Sequence, residues 1–479
     1  MKSKWVSIIL IIVILATLAA CGGKSTDTES EDTTATTQPK ATDSPSSPSA
    51  SAKDTEEAHL VFFTWFGEAE RDMGIALVDA FEEEHPNIKV DDNYIAYSDY
   101  HSKLNTLIAA GNTPDVFIIN EYLANEWGEK GIVLNLKEIF AEHGRDVDKE
   151  YLPGAIYRTK PDNCWGLAWS QSATYLFYNK ELFAEAGIEP PPLEGDPWTI
   201  DKLTEVAKQL TKDVNGKTPN DPDFDPNNVV VYGFLNMGAH HWAYLEGLLR
   251  TAGVRLTEDG RTWSFTSPKG IEAIQKLADL SLVHKCAPPL EIQRGTFNEP
   301  HVNLLNGQLA MLAHGSWGYQ LFANEGFDVG VGKMPIFEKE ITTASGAPFV
   351  IGADTKNIDA AFKFLTYTTS FENQVAAAEK KNMMMSMMPS NRAIFENQQI
   401  LDRWYSLFDE TLAKSALDIL EKVEDPGLTS KVKGLAEAMD TKVYPPFDKV
   451  WLGELTAEEL VRQLEPEIEG LLGGFWGDN

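Results

Sequence analysis

The chain predicts an α/β fold built on mostly parallel sheets covered by helices on both faces. Three observations carry this. Strand and helix patterns alternate from residue 59 to residue 119. A second alternation of the same kind begins at Tyr175. The length, 479 residues of which 43% are hydrophobic, suffices for two lobes or more, each with its own core.

The elements follow in order. Residues 59–65 (HLVFFTW) read as a buried strand ending at the Phe66-Gly67 turn. Residues 70–84 have helical spacing, with Ile75, Leu77, Val78 and Phe81 as the apolar stripe, and His85-Pro86-Asn87 stops them. A second strand starts at Ile88. A helix over 100–110 points Leu104, Leu107 and Ile108 inward, and 115–119 form a third strand. The order strand–helix–strand–helix–strand argues for parallel pairing. Residues 175–178 form the next strand, followed by a short helix to Ala186-Gly187. Thr199 reads as the N-cap of a helix to Leu210. Residues 213–228, rich in Asp, Asn and Pro, read as a loop. Helices are expected over 238–252, 268–284 and 358–368, strands over 309–313, 329–333 and 348–352, and mainly helix after Asn391.

The formal charge is −31. Such a field repels nucleic-acid phosphates and anionic lipid heads, so nucleic acid is not an expected partner. Cys164 and Cys286 are far apart and in no CxxC pair, which leaves open whether they pair or stay free and buried.

The N-terminus reads as an export signal over 1–20. Lys2 and Lys4 precede an apolar run over 6–17, too short to span a bilayer comfortably. Leu18-Ala19-Ala20-Cys21, followed by Gly22-Gly23, resembles a bacterial lipobox, so Cys21 is the expected lipidation site. Two acyl chains on one cysteine anchor stably where one is marginal. Residues 21–57 are then the lipidated cysteine and a tether of Ser, Thr, Asp, Pro and Ala that cannot bury a core. Extended, it reaches roughly 100 Å.

Seven segments carry a resemblance over residues 59–479. They are 63–67 (FTWFG), 80–90 (AFEEEHPNIKV), 103–117 (KLNTLIAAGNTPDVF), 178–187 (YNKELFAEAG), 198–203 (WTIDKL), 305–311 with 314–317 (LNGQLAM, HGSW) and 388–391 (MPSN). In this order they resemble the family 1 extracellular solute-binding proteins of ABC sugar importers, the group of maltose-binding protein. The resemblance implies a two-lobed, type II periplasmic-binding-protein-like fold. One lobe would be 58–171 plus 347–389 and the other 172–346 plus 390–479. Crossings would fall near 170–174, 345–348 and 387–391. It further implies a carbohydrate ligand, an oligosaccharide on the number of aromatic candidates, and a membrane permease as partner. Together with the Cys21 lipobox it gives a lipid-anchored monomer on the outer face of the cytoplasmic membrane of a Gram-positive cell, and no enzyme, cofactor or metal is expected.

A sugar offers hydroxyls and weakly apolar faces, so its site needs flat rings and planar polar groups. On the resemblance, Trp65 and Phe66 after the first strand and Asn120 and Glu121 after the third are candidate contacts, with Asp115 structural, bonding the turn after Pro114. Trp169 and Gln171 fall at the first crossing, as ligand contacts or hinge packing. Trp242 is a candidate stacking platform. His240 and His241 beside it share no helix face and lack a third ligand, so they read as polar lining. Gly315 and Ser316 allow close backbone approach, and Trp317 would stack. Gly346 and Ala347 do the same at the second crossing, and Arg392 would brace the hinge by pairing with an acid. Met383 to Met388 reads as adaptable packing rather than a copper site.

Two alternatives stand beside this reading. A secreted glycoside hydrolase needs two carboxylates across a sugar, and 72 acidic residues make a chance pair certain. A binder of another solute, such as ferric ion, could use Tyr97, Tyr100 and Tyr122. No GxSxG, HExxH, P-loop or GxGxxG motif sits in a matching context.

Overall fold

A computed structural model describes residues 57–236, 242–297, 300–319, 322, 327–341, 344–381, 388–407, 412–417 and 431–477. The expected signal, Cys21 and nearly all of the tether lie outside these residues, as do His240, His241 and Met383–Met387.

The first lobe is built on a six-stranded sheet in the order β2-β1-β3-β13-β5-β4. Its strands are β1 (Ala58–Thr64), β2 (Ile88–Tyr94), β3 (Val116–Ile118), β4 (Ile156–Tyr157), β5 (Gly166–Ala168) and β13 (Pro348–Ile351). Leu60, Phe62, Phe63 and Thr64 are all buried, because helices cover both faces of β1. Helix α1 (Glu68–Glu84) buries Met73, Ala76, Leu77 and Phe81, one side of a 3.6-residue period. Helix α2 (Tyr97–Ala109) buries Tyr100 and Leu104, and α3 (Glu121–Glu129) follows β3 directly. Asp115 ties strands rather than the Pro114 turn: it accepts from the Val61 amide at 2.8 Å and from the Thr355 hydroxyl.

The second lobe is built on β11-β6-β10-β9, with β12 also paired to β6. These are β6 (Ser172–Asn179), β9 (Leu235–Asn236), β10 (Met311–Gly315), β11 (Val329–Lys333) and β12 (Ala344–Ser345). Thr199 caps its helix through its side chain, accepting from the Lys202 amide. The Asp-rich loop closes a small hairpin of β7 (Lys212–Asp213) and β8 (Val229–Val231). Asp213 holds it by accepting from the amides of Asn215, Lys217 and Asp225 at 2.8, 2.9 and 2.9 Å. Helix Ala457–Leu471, started by a Thr456/Glu459 capping box, buries Leu460, Val461, Leu464 and Ile468 in this lobe.

Both sheets are mixed rather than mostly parallel. β1 pairs parallel with β2 and β3, but β13 returns antiparallel to β3 and β5, and β6 is antiparallel to β10 and β11. The cause is the path: strands enter a sheet from the other lobe, so they run against those wound locally. Helix Gln398–Leu407, expected with the second lobe, lies against helix Phe371–Lys381: Trp404 packs on Phe371, and Arg403 pairs with Glu379 at 2.6 Å. Cys164 and Cys286 are free and lie in separate cores. Burial pushes each thiol up to about 12, which leaves both unreactive.

Candidate functional site

The strand registers bring most of the candidate residues to one region. Trp65 follows β1, and Asn120 and Glu121 follow β3, at the carboxyl ends of parallel strands. Phe349 pairs with Ile118 and Pro348 with Ala168, so Gly346, Ala347 and Trp169 lie at that same end. In the second lobe Gly315 pairs with Thr174 near the start of β6, and Ser345 pairs with Ser172. Gly315, Ser316 and Trp317 therefore lie beside the strands that cross between lobes.

Trp65 is half-buried and meets an aromatic group on α2. Its ring lies 5.5 Å from Tyr97, 5.1 Å from Tyr100 and 5.6 Å from His101. Tyr100 is fully buried and donates to the carbonyls of Phe63 and Ile118 at 3.1 and 2.8 Å, which fixes the ends of β1 and β3. Tyr97 is 56% exposed, so this cluster keeps an open face. Burial holds the His101 ring below its ordinary pKa, with Asn120 acting the other way. Asn120 does not cap α3 with its side chain; its amide donates to the Tyr122 hydroxyl at 2.8 Å and the Tyr97 hydroxyl at 3.3 Å.

Other candidates are placed in packing. Phe66 and Trp169 are buried with their rings 4.5 Å apart, and Phe349 closes the group at 6.2 and 5.9 Å. They offer almost no open surface. Gln171 is 1% exposed. Its backbone bridges Met388, and its side-chain amide donates to the Pro389 carbonyl at 2.9 Å. Arg392 braces the same crossing by donating to the Tyr151 carbonyl at 3.1 Å; among the described residues it pairs with no acid. At Gly346 a Cβ would stand 1.8 Å from the Ser170 carbonyl oxygen, so glycine is needed there for one crossing strand to pass another. The Gly346 carbonyl accepts from the Tyr157 hydroxyl at 2.6 Å.

The turn after β10 is compact for a stated reason. A Cβ on Gly315 would stand 1.9 Å from the Trp317 ring, so glycine lets that ring fold back over the backbone. His314 lies 5.4 Å from Trp317 and under Gly318, and burial pushes its pKa down to about 4. The Ser316 hydroxyl is buried and, like that of Thr64 at the end of β1, has no hydrogen-bond partner among the described residues. Trp242 begins helix Trp242–Thr251; its side chain lies outside the described residues.

Sequence reasoning missed Tyr97 and His101 as partners of Trp65, and missed Glu246. The signal for the first pair was the spacing Tyr94, Tyr97, Tyr100, His101. For Glu246 it was one acid among apolar residues in WAYLEGLLRT, where Leu245, Leu248 and Leu249 are buried around it. Glu246 is itself 6% exposed, and burial pushes its pKa up to about 7. Among the described residues no cluster of His, Cys, Asp and Glu could hold a metal ion.

A family model described as bacterial extracellular solute-binding protein matches residues 75–375. The sn-glycerol-3-phosphate-binding periplasmic protein UgpB of Rhizobium meliloti (strain 1021) is 25% identical over 284 residues, 56% of this chain and 59% of that protein. The chain thus spans about three fifths of the length of the curated relatives it matches. The substrate-binding protein Lmo0181 of Listeria monocytogenes, solved with cycloalternan, superposes with a TM-score of 0.71 at 22% identity, covering 87% of this chain and 99% of that one. Maltose-bound T. maritima MalE3 gives 0.69 at 19%, covering 87% and 100%. Over a match of this extent, with that fold, the chain belongs to the bacterial extracellular solute-binding protein family.

Proposed function

We propose that the chain is the ligand-catching component of an ABC importer, which holds a carbohydrate between its lobes and passes it to a membrane permease. One observation carries the reading. Partly exposed aromatic rings, Trp65 with Tyr97 and Trp317, occur beside buried polar atoms that have no partner among the described residues, Thr64 Oγ1 and Ser316 Oγ, where both sheets meet the crossing strands. Rings suit the faces of a sugar and the hydroxyls suit its rim. The proteins solved with cycloalternan and with maltose share this fold, which supports the choice of ligand class. A ligand touching both lobes stabilises their closed arrangement through contacts the open one lacks.

Cys21, lipidated, would hold the protein at the outer face of the membrane of a Gram-positive cell, at high effective concentration beside its permease. The function is binding without turnover. A thermal-shift screen over plant and bacterial oligosaccharides tests it, since a ligand that binds only the native state raises Tm. A raised Tm with unchanged sugar supports the proposal. No shift across the panel, or new reducing ends, defeats it.

A further inference from the structure

The second lobe also reaches the first away from the candidate ligand residues. Its segment Gly473–Gly477 runs against residues 431–433. The Gly473 amide donates to the Lys433 carbonyl at 2.9 Å, the Lys433 amide to that of Gly474 at 2.9 Å and the Trp476 amide to that of Lys431 at 2.6 Å, and Val432 is bridged to Phe475. The Gly474 amide donates to the Gly260 carbonyl at 2.8 Å, and Lys433 Nζ stands 5.4 Å from the Trp476 ring. Val432, Leu435 and Phe475 pack in the core of the second lobe. Gly477 then meets the first lobe. A Cβ there would stand 2.8 Å from the Thr159 carbonyl oxygen, and its φ is +92°, so glycine is what lets the segment pass so close. Thr159 lies on the turn between β4 and β5 and is held in place. Its amide donates to Asn163 Oδ1 at 3.0 Å, and its hydroxyl accepts from Trp165 Nε1 at 3.2 Å and donates to Glu129 at the end of α3. The short helix Leu435–Glu437 of the second lobe also packs against α3.

Sheet order fixes where this link lies. In β2-β1-β3-β13-β5-β4 the candidate contacts Trp65 and Asn120 follow β1 and β3, the chain crosses between lobes at the ends of β13 and β5, and the turn carrying Thr159 leads off β4 at the far edge. Ligand site, crossings and link thus follow in that order. When two lobes rotate about the strands that join them, surfaces on opposite sides of those strands move in opposite senses. We propose that Gly473–Gly477 is a strap that opposes closure: the lobes shut over a ligand only as Gly477 leaves Thr159. The proposal rests on reading the chain as a two-lobed ligand catcher. The strap lowers the closed fraction of the free protein, and apparent affinity falls with that fraction. It therefore sets affinity without touching the ligand.

The test compares the full chain with one ending at Trp476, which keeps the bonds to residues 431–433 and loses the contact with Thr159. Gly477→Val, whose side chain would run into the Thr159 carbonyl, is the second variant. Each is titrated calorimetrically with maltotriose and with cellotriose, and the ligand-free proteins are measured by small-angle X-ray scattering. Both variants bind whichever trisaccharide the wild type binds about 5-fold more tightly. Equal or weaker binding in both variants overturns the strap and leaves the sugar reading standing. Should the wild type bind neither trisaccharide, the sugar reading fails for these skeletons and the scattering alone decides on the strap: a smaller ligand-free radius of gyration in the variants supports it, and an unchanged one overturns it.

Discussion

Replacing Glu246 by glutamine should stabilise the protein in alkali and leave it unchanged in acid. The carboxyl is 6% exposed, and burial raises its pKa from the ordinary 4.5 to about 7. An acid whose pKa rises on folding binds its proton more tightly in the native state, so its contribution is complete below about 4.5 and is lost as the pH climbs through about 7. At about 1.4 kcal/mol per pH unit, the gap amounts to about 3 kcal/mol of destabilisation once the group is ionised. Glutamine has nearly the same shape, stays neutral and does not titrate. Guanidinium unfolding of both proteins at pH 4.5 and pH 8.5 reads this directly. The variant should match the wild type at the lower pH and exceed it by about 3 kcal/mol at the higher. A difference that does not vary with pH would refute the buried placement of this carboxyl, whatever the ligand.

Two further outcomes follow from buried groups near the crossings. His314 is held neutral, its pKa pushed down to about 4, so its contribution is complete above about 6.5 and is lost as the pH falls through about 4. Glu or Asp titrations aside, His314→Gln should therefore lose less stability than the wild type between pH 7.5 and pH 4.5; equal losses would contradict a desolvated ring. Gly346→Ala should cost about 3 kcal/mol, because the new methyl meets a backbone oxygen 1.8 Å away that belongs to another crossing strand and cannot swing aside. A change in denaturation midpoint worth under about 1 kcal/mol would show that the crossing is looser than described.

The first half of the first lobe was legible because its signals are local. The stripe ending at Phe81, the stop at His85-Pro86 and the cap at Thr199 depend on neighbours within one or two turns, and the structure places α1 and the Thr199 helix accordingly. Strand direction was not legible. The antiparallel return of β13 depends on a chain that leaves for the second lobe and comes back, and no window of sequence contains that path. The candidate site was legible as a set of positions after strands, but not in the division of labour among them. Trp65 and Phe66 are adjacent and equally aromatic; the one meets α2 with an open face, and the other turns into Trp169 and Phe349. Gln171 carries the same amide as any ligand-binding glutamine, and only the passing of Pro389 commits it to the hinge. Glu246 was hidden for the opposite reason. Its helix reads as apolar core, and the shift in its carboxyl comes first from burial under elements distant in sequence.

The central claim is that a sugar is held between aromatic surfaces from both lobes, one centred on Trp65 and the other on Trp317. Calorimetric titration of the best sugar from the thermal-shift screen into the wild type and into the Trp65→Ala/Trp317→Ala double variant tests it most directly. The account predicts one saturable site in the wild type, unchanged sugar afterwards, and no measurable binding in a variant that still unfolds cooperatively. Undiminished affinity in the double variant would contradict it.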